Sequence, residues 1–456
     1  MRNFYFKIRI GIIGLLILLG KLSSGQIVDI KEDASNPLPN IILIMADDMG
    51  YECLSCNGSL SYNTPTLDRI ANNGIRFTNC FSQPLCTPSR VKIMTGKYNY
   101  RNYEYFGYLN PDQKTFGNYL KDAGYKTCVA GKWQLNGIYH DLPGNQDLSR
   151  PQHFGFDEYC LWQLNKTGAE GERYANPLII RNGEEIEGLK DAYGPDIFSD
   201  FICDFIDENK DRPFFVYYPM VLVHDPFVPT PDSPEWKEFG DRYKKSTAYF
   251  DDMVGYVDKV VSKIEDKLKD SGISNNTIVI FTGDNGTHPS IITKTVDKEV
   301  TGGKGSSLNT GNHVPLLVSW PAKIKKGRVF SGLVDFTDIL PTIADVTKLN
   351  PASYYTDGKS FFSVLNQTDG KTSKEEVFIH YSPRWGKFKS NRWVLNEYYK
   401  LYQNGDFYNT MNDPDEKNPI VSPTNHEKNI KRKFEEVLDS KEKEFPFKNN
   451  DIEFKP

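Results

Sequence analysis

The residues with the clearest chemical potential lie at positions 86–90, where the sequence reads Cys-Thr-Pro-Ser-Arg. We expect a short helix here, with Thr87 as its N-cap, proline at its first position and Gly96 just past its end. Cys86 would then lie at a helix N-terminus, where unpaired N–H groups favour an anion. The Arg90 guanidinium suits a tetrahedral oxyanion. An anion site is one interpretation, and an inert cysteine at a helix start is the other.

Polar side chains also follow four predicted buried strands. The first strand is a continuous apolar run at residues 41–46, and further runs lie at residues 126–130, 214–218 (leading on through 221–223) and 278–281. The side chains at or beyond their ends are Asp47, Asp48, Lys132, His224, Asp284 and Asn285. Helical patterns lie between them at residues 116–121, 197–206 and 249–268. This alternation predicts a mostly parallel sheet, whose ligands bind beyond the carboxyl ends of the strands, so we expect these side chains at one rim.

Four of these side chains offer only oxygen donors: Asp47, Asp48, Asp284 and Asn285. Three carboxylates packed together repel one another unless a cation lies between them. Oxygen ligands select a hard cation, so calcium or magnesium is favoured over zinc or copper. Either pair alone would suit an ordinary turn after a strand. The presence of both pairs after buried strands favours the metal site.

Three further residues could serve an anionic substrate at this rim. Lys132 and Lys304 could contact the anion, and the glycines on both sides of Lys304 permit a close approach of the backbone. His224 could donate a proton to a departing oxygen near neutral pH. The alternative is that the lysines are solvated and that the histidine packs against its neighbours.

Taken together, these motifs resemble the type I sulfatases of the alkaline-phosphatase-like superfamily, and the resemblance covers nearly the whole chain after its first residues. It implies a sulfuric ester hydrolase in which a formylglycine-generating enzyme oxidises Cys86 to formylglycine (3-oxoalanine). Arg90 matches the arginine that stabilises this residue, and His224 matches the histidine near the leaving group. Lys132 and Lys304 match the two sulfate-contacting lysines. The implied cation is Ca²⁺ rather than Mg²⁺, with ligands from Asp47, Asp48, residue 86, Asp284 and Asn285.

The implied mechanism is covalent, electrostatic and metal-assisted. One hydroxyl of the formylglycine hydrate attacks sulfur, His224 with Lys304 assists the departing oxygen, and the second hydroxyl expels sulfate. One residue departs from the family pattern: Gln134 stands where a histidine usually follows Gly-Lys-Trp. A glutamine can form hydrogen bonds but cannot act as a base near pH 7. Either the elimination runs without that base, or another group such as His140 supplies it.

The expected substrate class follows from a segment that could form a platform for a sugar. Residues 98–105, which are dense in tyrosine and polar groups, suit a carbohydrate, although a packed aromatic loop fits equally well. We expect Arg101 and Gln134 as substrate contacts, and sulfated oligo- or polysaccharide as substrate. The alternatives are a phosphodiesterase or phosphonate hydrolase of the same superfamily, or a non-catalytic protein that binds sulfated sugar.

Composition and the first residues bear on location. The chain has 456 residues and a net charge of −5, which argues against a general polyanion-binding surface such as nucleic-acid binders carry. A basic start and a short apolar run predict a signal peptide at residues 1–25, hence export to the periplasm or beyond, without stable membrane insertion. Conversion of Cys86 would leave six of seven cysteines, enough for three disulfides in any of 15 pairings.

The predicted architecture is α/β. A large, mostly parallel mixed sheet flanked by helices forms a catalytic domain at residues 26–350. Residues 351–456 form a smaller subdomain with an antiparallel sheet and a terminal helix. Strands are expected at residues 377–381, 393–395 and 399–402, and the helix around residues 430–438. We also expect a helix over residues 334–346, interrupted at Pro341.

Overall fold

The computed structural model describes residues 37–166, 172–367 and 370–447, so the predicted signal peptide lies outside the described residues. The strands are β1 Asn40–Ala46, β2 Ile75–Phe81, β3 Lys126–Lys132, β4 Glu158–Trp162, β5 Ile179–Arg181, β6 Glu184–Glu185, β7 Phe214–Pro219, β8 Thr277–Gly283, β9 Ile292–Lys294, β10 Glu299–Thr301, β11 His313–Ser319, β12 Arg328–Asp335, β13 Val377–Tyr381, β14 Asn391–Leu395, β15 Tyr399–Tyr402 and β16 Phe407–Asn409. The α-helices are α1 Pro65–Asn73, α2 Cys86–Thr95, α3 Asn99–Asn102, α4 Phe116–Asp122, α5 Arg150–His153, α6 Gly194–Asn209, α7 Tyr249–Asp270, α8 Asn309–Asn312, α9 Ile339–Val346, α10 Phe362–Asn366 and α11 Asn425–Glu444.

Ten strands form one mixed sheet in the order β12-β2-β11-β8-β1-β7-β3-β4-β5-β6. The centre of the sheet, β8-β1-β7-β3-β4, is parallel throughout. Strand β11 is antiparallel to both of its neighbours, and β5 and β6 add an antiparallel edge. The predicted α/β class with a large, mostly parallel sheet is therefore confirmed.

Strand β1 lies at the centre of this sheet because it is apolar on both faces. All seven of its residues are buried, and it pairs in parallel with β7 and β8. Ile42 and Ile44 pack in a core with residues of α1, α6 and α7. Leu43 and Met45 face a second core with residues of α2, α4 and α9. Full burial of such a side chain contributes about 1.5–3 kcal/mol, so a parallel strand of this type requires helices on both sides.

The smaller sheet, β13-β14-β15-β16, is antiparallel. Phe434 and Leu438 of α11 cover one of its faces, packing in a cluster with β13–β16 residues such as Phe378. The other face packs in a cluster with Leu85 and Cys86. The predicted small sheet and terminal helix are confirmed, whereas the boundary between residues 350 and 351 remains a prediction.

Two helix predictions need correction. Residues 334–335 belong to β12, and α9 begins only at Ile339. Pro341 lies in the first turn of α9, where a missing N–H breaks no intrahelical bond, so it does not interrupt the helix. Helix α2 begins at Cys86 with Leu85 as its N-cap, so the prediction of Thr87 as the cap is wrong.

Thr87 has a different role from capping. Its hydroxyl accepts a hydrogen bond from the Gly107 N–H at 3.2 Å, which ties the loop after α3 to the start of α2. The C-terminal prediction is confirmed, because Gly96 has a left-handed φ of 66° and its N–H bonds the Lys92 carbonyl.

The cysteines are unpaired. All seven lie in the described residues and none forms a disulfide, so the three bridges that six cysteines could form do not occur. Six of the seven are buried. Cys128 and Cys160 illustrate the reason: they lie in neighbouring strands, but Cys128 is opposite Glu158 and Cys160 is opposite Ala130. In the part of the chain that the structure describes, no helix is long and apolar enough to cross a bilayer.

Candidate active site

The carboxyl ends of the parallel strands place the predicted polar residues at one rim. Asp47 and Asp48 directly follow β1, Lys132 ends β3, and Asp284 and Asn285 follow β8. His224 lies on the loop after β7. Helix α2 starts at the same rim, since Cys86, Asp47 and Asp284 place potential ligand atoms within 4.8 Å of one another.

Three cations balance the buried carboxylates at this rim. The Arg90 guanidinium donates to Asp284 Oδ2 at 3.1 Å and to the Lys132 carbonyl at 2.8 Å. Lys132 Nζ donates to Asp47 Oδ2 at 2.8 Å. Arg90, Lys132, Asp47 and Asp284 are each at most 1% exposed. Burial opposes the ionised form of Asp47, but the charges of Lys132 and Arg90 outweigh it and lower the pKa of that carboxyl.

A second set of contacts joins Asp48 to the proposed leaving-group residues. Lys304 Nζ donates to Asp48 Oδ2 at 2.6 Å and lies 3.0 Å from His224 Nε2. The His224 Nδ1 lies 2.7 Å from the Asp225 carbonyl oxygen and 3.0 Å from Asp225 Oδ1. Burial and then the charge of Lys304 lower the pKa of His224, so its imidazole is neutral near pH 7. With Nδ1–H donated to Asp225, Nε2 accepts from the Lys304 ammonium.

The oxygen donors fit a divalent cation. Asp47 Oδ1 and Asn285 Oδ1 are buried without a hydrogen-bond partner among the described residues, which is unusual for buried oxygens. Asn285 turns its Nδ2 toward Asp48 Oδ1 at 2.8 Å, so its own Oδ1 stays available. Burial and then the charge of Asp47 raise the pKa of Asp284 well above its ordinary value. A cation bound to these oxygens would satisfy the orphaned atoms and remove the repulsion.

Residue 86 contacts the residue that departs from the family pattern. The Cys86 thiol donates to Gln134 Oε1 with 3.2 Å between sulfur and oxygen, and Thr87 Oγ1 lies 3.4 Å from the same oxygen. Gln134 Nε2 donates to the Tyr139 hydroxyl at 3.4 Å, and Gln163 Nε2 also donates to that hydroxyl. The Tyr139 hydroxyl therefore turns the Gln134 amide so that its carbonyl oxygen faces residue 86.

The thiol itself is a poor nucleophile in this setting. Burial raises the pKa of Cys86, and the charge of Lys132 offsets this only in part. The thiol is therefore protonated near pH 7, whereas the thiolate is the reactive form of an unmodified cysteine. The surroundings of Cys86 therefore do not activate an unmodified thiol.

A cleft with a volume of about 360 Å³ opens above residue 86. Its polar lining includes the predicted Lys132, Gln134, His224 and Lys304. His288, which the sequence offered as a possible site residue, also lines the cleft. The residues that sequence reasoning missed are Phe106, Tyr139, Gln163, Arg173, Asp225, Trp385 and Phe388. Gln163 directly follows β4 and could have been found by the same strand-end rule. Trp385 and Phe388 come from the smaller sheet's loop, which nothing near residue 86 in the sequence indicates.

Comparison with known proteins decides the family. The sequence model described as Sulfatase matches residues 39–349, which is more than half of the chain. The chain belongs to the sulfatase family. A second model, described as N-sulphoglucosamine sulphohydrolase, C-terminal, matches residues 306–444 of this sulfatase. Family membership confirms the predicted sulfuric ester hydrolase, and it implies a divalent metal and formylglycine.

Named sulfatases resemble the chain over most of its length. An arylsulfatase of Hemicentrotus pulcherrimus is 30% identical over 77% of this chain and 67% of its own. An N-acetylgalactosamine-6-O-sulfatase of Bacteroides thetaiotaomicron is 27% identical over 94% of this chain and 97% of its own. The crystal structure of Ps i-CgsB in complex with k-i-k-neocarrahexaose superposes with a TM-score of 0.73, at 25% identity, over 91% of this chain and 94% of the other.

Arg101 is the one proposed site residue that this sulfatase does not bring to the rim. Its guanidinium pairs with Asp357 at 3.1 Å and with Glu444 of α11, and Arg101 does not line the cleft. The tyrosines beside it pack against the small subdomain, as in the stack of Tyr100 on Phe445. The structure therefore does not place Arg101 at the cleft as expected, because residues 98–105, which include α3, pack against the small subdomain.

His140, considered as a substitute base, is not at residue 86 either. Its ring contacts Tyr105 and Trp385, with ring centroids 5.4 and 6.5 Å apart, and it does not line the cleft. The side chain that faces residue 86 in the position of the missing histidine is therefore Gln134 itself.

Proposed function

We propose that this sulfatase removes sulfate from sulfated carbohydrate, with Cys86 converted to formylglycine and Ca²⁺ bound by Asp47, Asp48, Asp284 and Asn285. The observation that carries the proposal is the cleft, which combines residue 86, the cations Lys132 and Lys304, and an aromatic wall. In that wall the rings of Phe106 and Trp385 stack at 4.4 Å. Apolar faces beside polar groups suit a sugar ring.

Charge balance supports binding of an anionic ester. Asp47, Asp48 and Asp284 carry at most three negative charges, and Arg90, Lys132 and Lys304 carry three positive ones. A divalent cation would leave the site with a surplus of positive charge in a buried setting, which attracts a sulfate group. The chain as a whole is negative, so this attraction is local to the cleft.

Residue 86 is the proposed site of nucleophilic attack. A formylglycine hydrate at this position supplies the attacking hydroxyl, and the divalent cation supplies charge stabilisation for the sulfate oxygens. Gln134 Oε1 already accepts a hydrogen bond from residue 86, so it would hold one hydroxyl proton and orient the group. Arg90 and Lys132 would stabilise the charge that develops on the sulfate.

Lys304 and His224 are proposed to serve the leaving oxygen. The Lys304 ammonium has three N–H groups, of which one goes to Asp48 and one to His224 Nε2. The third remains for the bridging oxygen of the ester. His224, held by Asp225, keeps the ammonium in place, and the third N–H of Lys304 can give its proton to the departing alkoxide, which leaves Lys304 as a neutral amine.

Substrate class and location follow from different observations. The relatives named above include a carbohydrate sulfatase and a structure in complex with an oligosaccharide, which supports a sugar substrate. The sequence pattern of residues 1–25 supports export to the periplasm or beyond, where a polysaccharide would be met. A formylglycine-generating enzyme is the proposed partner during maturation.

The two alternatives differ from this proposal in what they release. A phosphodiesterase or phosphonate hydrolase would release phosphorus products from matched esters. A binding protein would release nothing and would keep an unmodified thiol at residue 86. No contact specifically favours either alternative. The cation ligands, Arg90 and Cys86 all meet at one rim, which is the arrangement that the proposed sulfatase requires.

The deciding experiment measures the mass of the peptide that carries residue 86, in protein made with a formylglycine-generating system. Conversion of thiol to aldehyde lowers this mass by about 18 Da. The same protein is then assayed for sulfate release from sulfated oligosaccharides and for phosphate release from matched phosphate esters, with Cys86→Ala as control. We expect the mass shift and sulfate release only from the converted protein. A thiol that persists in a competent host would overturn the proposal.

A further inference from the structure

Arg173 lines the same cleft as His224 and Asp225. Arg173 lies between β4 and β5 without directly following either strand, and no sequence motif indicated it as a site residue. Its guanidinium lies over the indole of Trp162, the last residue of β4, with its carbon 4.3 Å from the ring centroid. Trp162 is buried, so this stack fixes the plane of the guanidinium and leaves its N–H edges to other groups.

Among the residues that the structure describes, Arg173 has neither an ion pair nor a hydrogen bond. The other cations of the cleft differ in this respect, because Lys132 and Lys304 each donate to a carboxylate within 2.8 Å. Arg173 Nη1 is moreover buried without a hydrogen-bond partner. A buried charged donor without an acceptor is unfavourable, and in native proteins it calls for a specific partner.

The carboxylate nearest in the lining is already engaged. Asp225 Oδ1 lies 3.0 Å from His224 Nδ1, and the ring nitrogen also meets the Asp225 carbonyl at 2.7 Å. Asp225 therefore holds His224, whose hydrogen bond lowers the pKa of that carboxyl most, and the charge of Arg173 lowers it further without an ion pair or hydrogen bond between the two side chains. The wall of the cleft next to the proposed leaving-group residues thus presents an oriented guanidinium with which no carboxylate of the described residues pairs directly.

We propose that Arg173 binds an oxyanion of the substrate other than the sulfate that is removed. The inference rests on the proposed function, because it takes the substrate to be a sulfated sugar. A stacked guanidinium offers two parallel N–H groups along one edge, which match the paired oxygens of a sulfate ester or a carboxylate. The ligand is a second sulfate or a uronate carboxylate on the sugar that lies beside His224.

Arg173 would then determine specificity. When a substrate with a single sulfate is bound, the free N–H groups of Arg173 have no acceptor. A second anion on the substrate would accept hydrogen bonds from them. A charge-assisted, bidentate contact of this type discriminates by about 10- to 100-fold. The alternative is a purely structural stack that holds the loop against β4, and such a stack would affect all substrates alike.

The test compares three matched saccharides with the converted enzyme. One carries a single sulfate ester, the second carries an additional sulfate, and the third carries a uronate carboxylate in place of the additional sulfate. The quantity measured is the ratio of kcat/KM for each two-anion substrate to that for the one-anion substrate. We expect at least one ratio of about 10 or more in the wild type. Which ratio is high distinguishes a second sulfate from a carboxylate.

The variants are Arg173→Met and, should that protein fail to fold, Arg173→Gln. Either should bring the high ratio to near 1, chiefly through a higher KM. The matched control is Arg181→Met, because Arg181 also stacks on an aromatic ring, Phe201 at 5.1 Å, but does not line the cleft. The control should keep the wild-type ratio.

The outcomes separate this inference from the proposed function. Sulfate release by the wild type with ratios near 1, or ratios that survive in the Arg173 variants, would overturn the role of Arg173 and leave the proposed function standing. No sulfate release from any saccharide by fully converted enzyme would overturn both. A high ratio that only the Arg173 variants lose supports the inference.

Discussion

The Cys86 thiol donates a hydrogen bond to Gln134 Oε1, with 3.2 Å between sulfur and oxygen. Gln134 is held in place by Tyr139 through its Nε2, and its backbone adopts a left-handed φ of 56°. Left-handed backbone in a residue other than glycine is uncommon and is often found at functional sites. An acceptor that cannot titrate near pH 7 is thus built into the position where a histidine base is usual.

The first prediction concerns this acceptor. We expect Gln134→Met, which keeps the length of the side chain but removes its polar atoms, to lower kcat by about 10- to 100-fold, because residue 86 loses the oxygen that orients it. The measurement is sulfate release at saturating substrate. Tyr139→Phe should lower kcat less, because Gln134 keeps its oxygen and loses only one support. A Gln134→Met enzyme with wild-type kcat would show that the contact is incidental.

Most of the rim could be predicted because parallel strands impose a strong pattern. Asp47 and Asp284 each follow a run that is apolar on both faces, and the sheet brings those strand ends together as neighbours. The C-terminal sheet was equally readable from its short apolar runs. These predictions succeeded because a local apolar pattern identifies each strand, and because parallel strands bring their carboxyl ends to one rim of the sheet.

The missed residues depend on contacts that are distant in the sequence. Gln163 is an exception, since it directly follows β4 and could have been found from the end of that strand. Arg173 reaches the cleft only through its stack on Trp162. Arg101 was expected at the cleft because an aromatic segment that packs against Phe445, just after α11, has the same composition as a sugar platform. Packing partners of this kind are not encoded in local spacing.

The second prediction concerns the nucleophile. Cys86→Ala should reduce sulfate release by at least about 10³-fold, because alanine cannot be converted to formylglycine and offers no nucleophile. Cys86 packs with residues of the small sheet, but alanine removes only its sulfur atom. The substitution should therefore change the free energy of unfolding only modestly. Kinetics and urea denaturation on the same preparation check both statements. Turnover close to wild type in this variant would contradict the mechanism.

The third prediction concerns the cation. Removal of divalent ions with a chelator should abolish turnover and lower the melting temperature, and Ca²⁺ should restore both more fully than Mg²⁺. A ligand present at 100 times its Kd stabilises the folded state by about 2.7 kcal/mol, so the shift should be measurable. Binding to the orphaned Asp47 Oδ1 and Asn285 Oδ1 is the physical reason.

Two variants serve as controls for the cation experiment. Asp284→Asn removes one charged ligand and should make the melting temperature insensitive to Ca²⁺. Asp357→Asn changes a carboxylate that pairs with Arg101 outside the cleft and should keep the wild-type response. A melting temperature of the wild type that ignores both chelator and Ca²⁺ would speak against a structural cation at this rim.

The fourth prediction concerns acid stability and a buried histidine outside the active site. His380 in β13 lies opposite Arg392 in β14, and Arg392 donates to His380 Nδ1 through Nε at 3.2 Å and Nη2 at 3.0 Å. The ring is therefore neutral and accepts at Nδ1. Burial, and then the charge of Arg392, lower the pKa of His380 to about 3. Its value in the unfolded chain is about 6.5.

The sign of the effect follows from these two pKa values. As the pH falls below about 6.5, His380 takes up a proton in the unfolded chain, whereas in the folded protein it stays neutral until about pH 3. Acid therefore favours unfolding throughout this window. At pH 5 the difference amounts to about 2 kcal/mol of lost stability. His380→Gln keeps an acceptor for Arg392 but does not titrate. We therefore expect the free energy of unfolding of the variant to fall by about 2 kcal/mol less than that of the wild type between pH 7 and pH 5, measured by urea denaturation.

The control is His426→Gln, at an exposed histidine of α11, which should follow the wild type. Equal losses in all three proteins would show that His380 is protonated in the folded state.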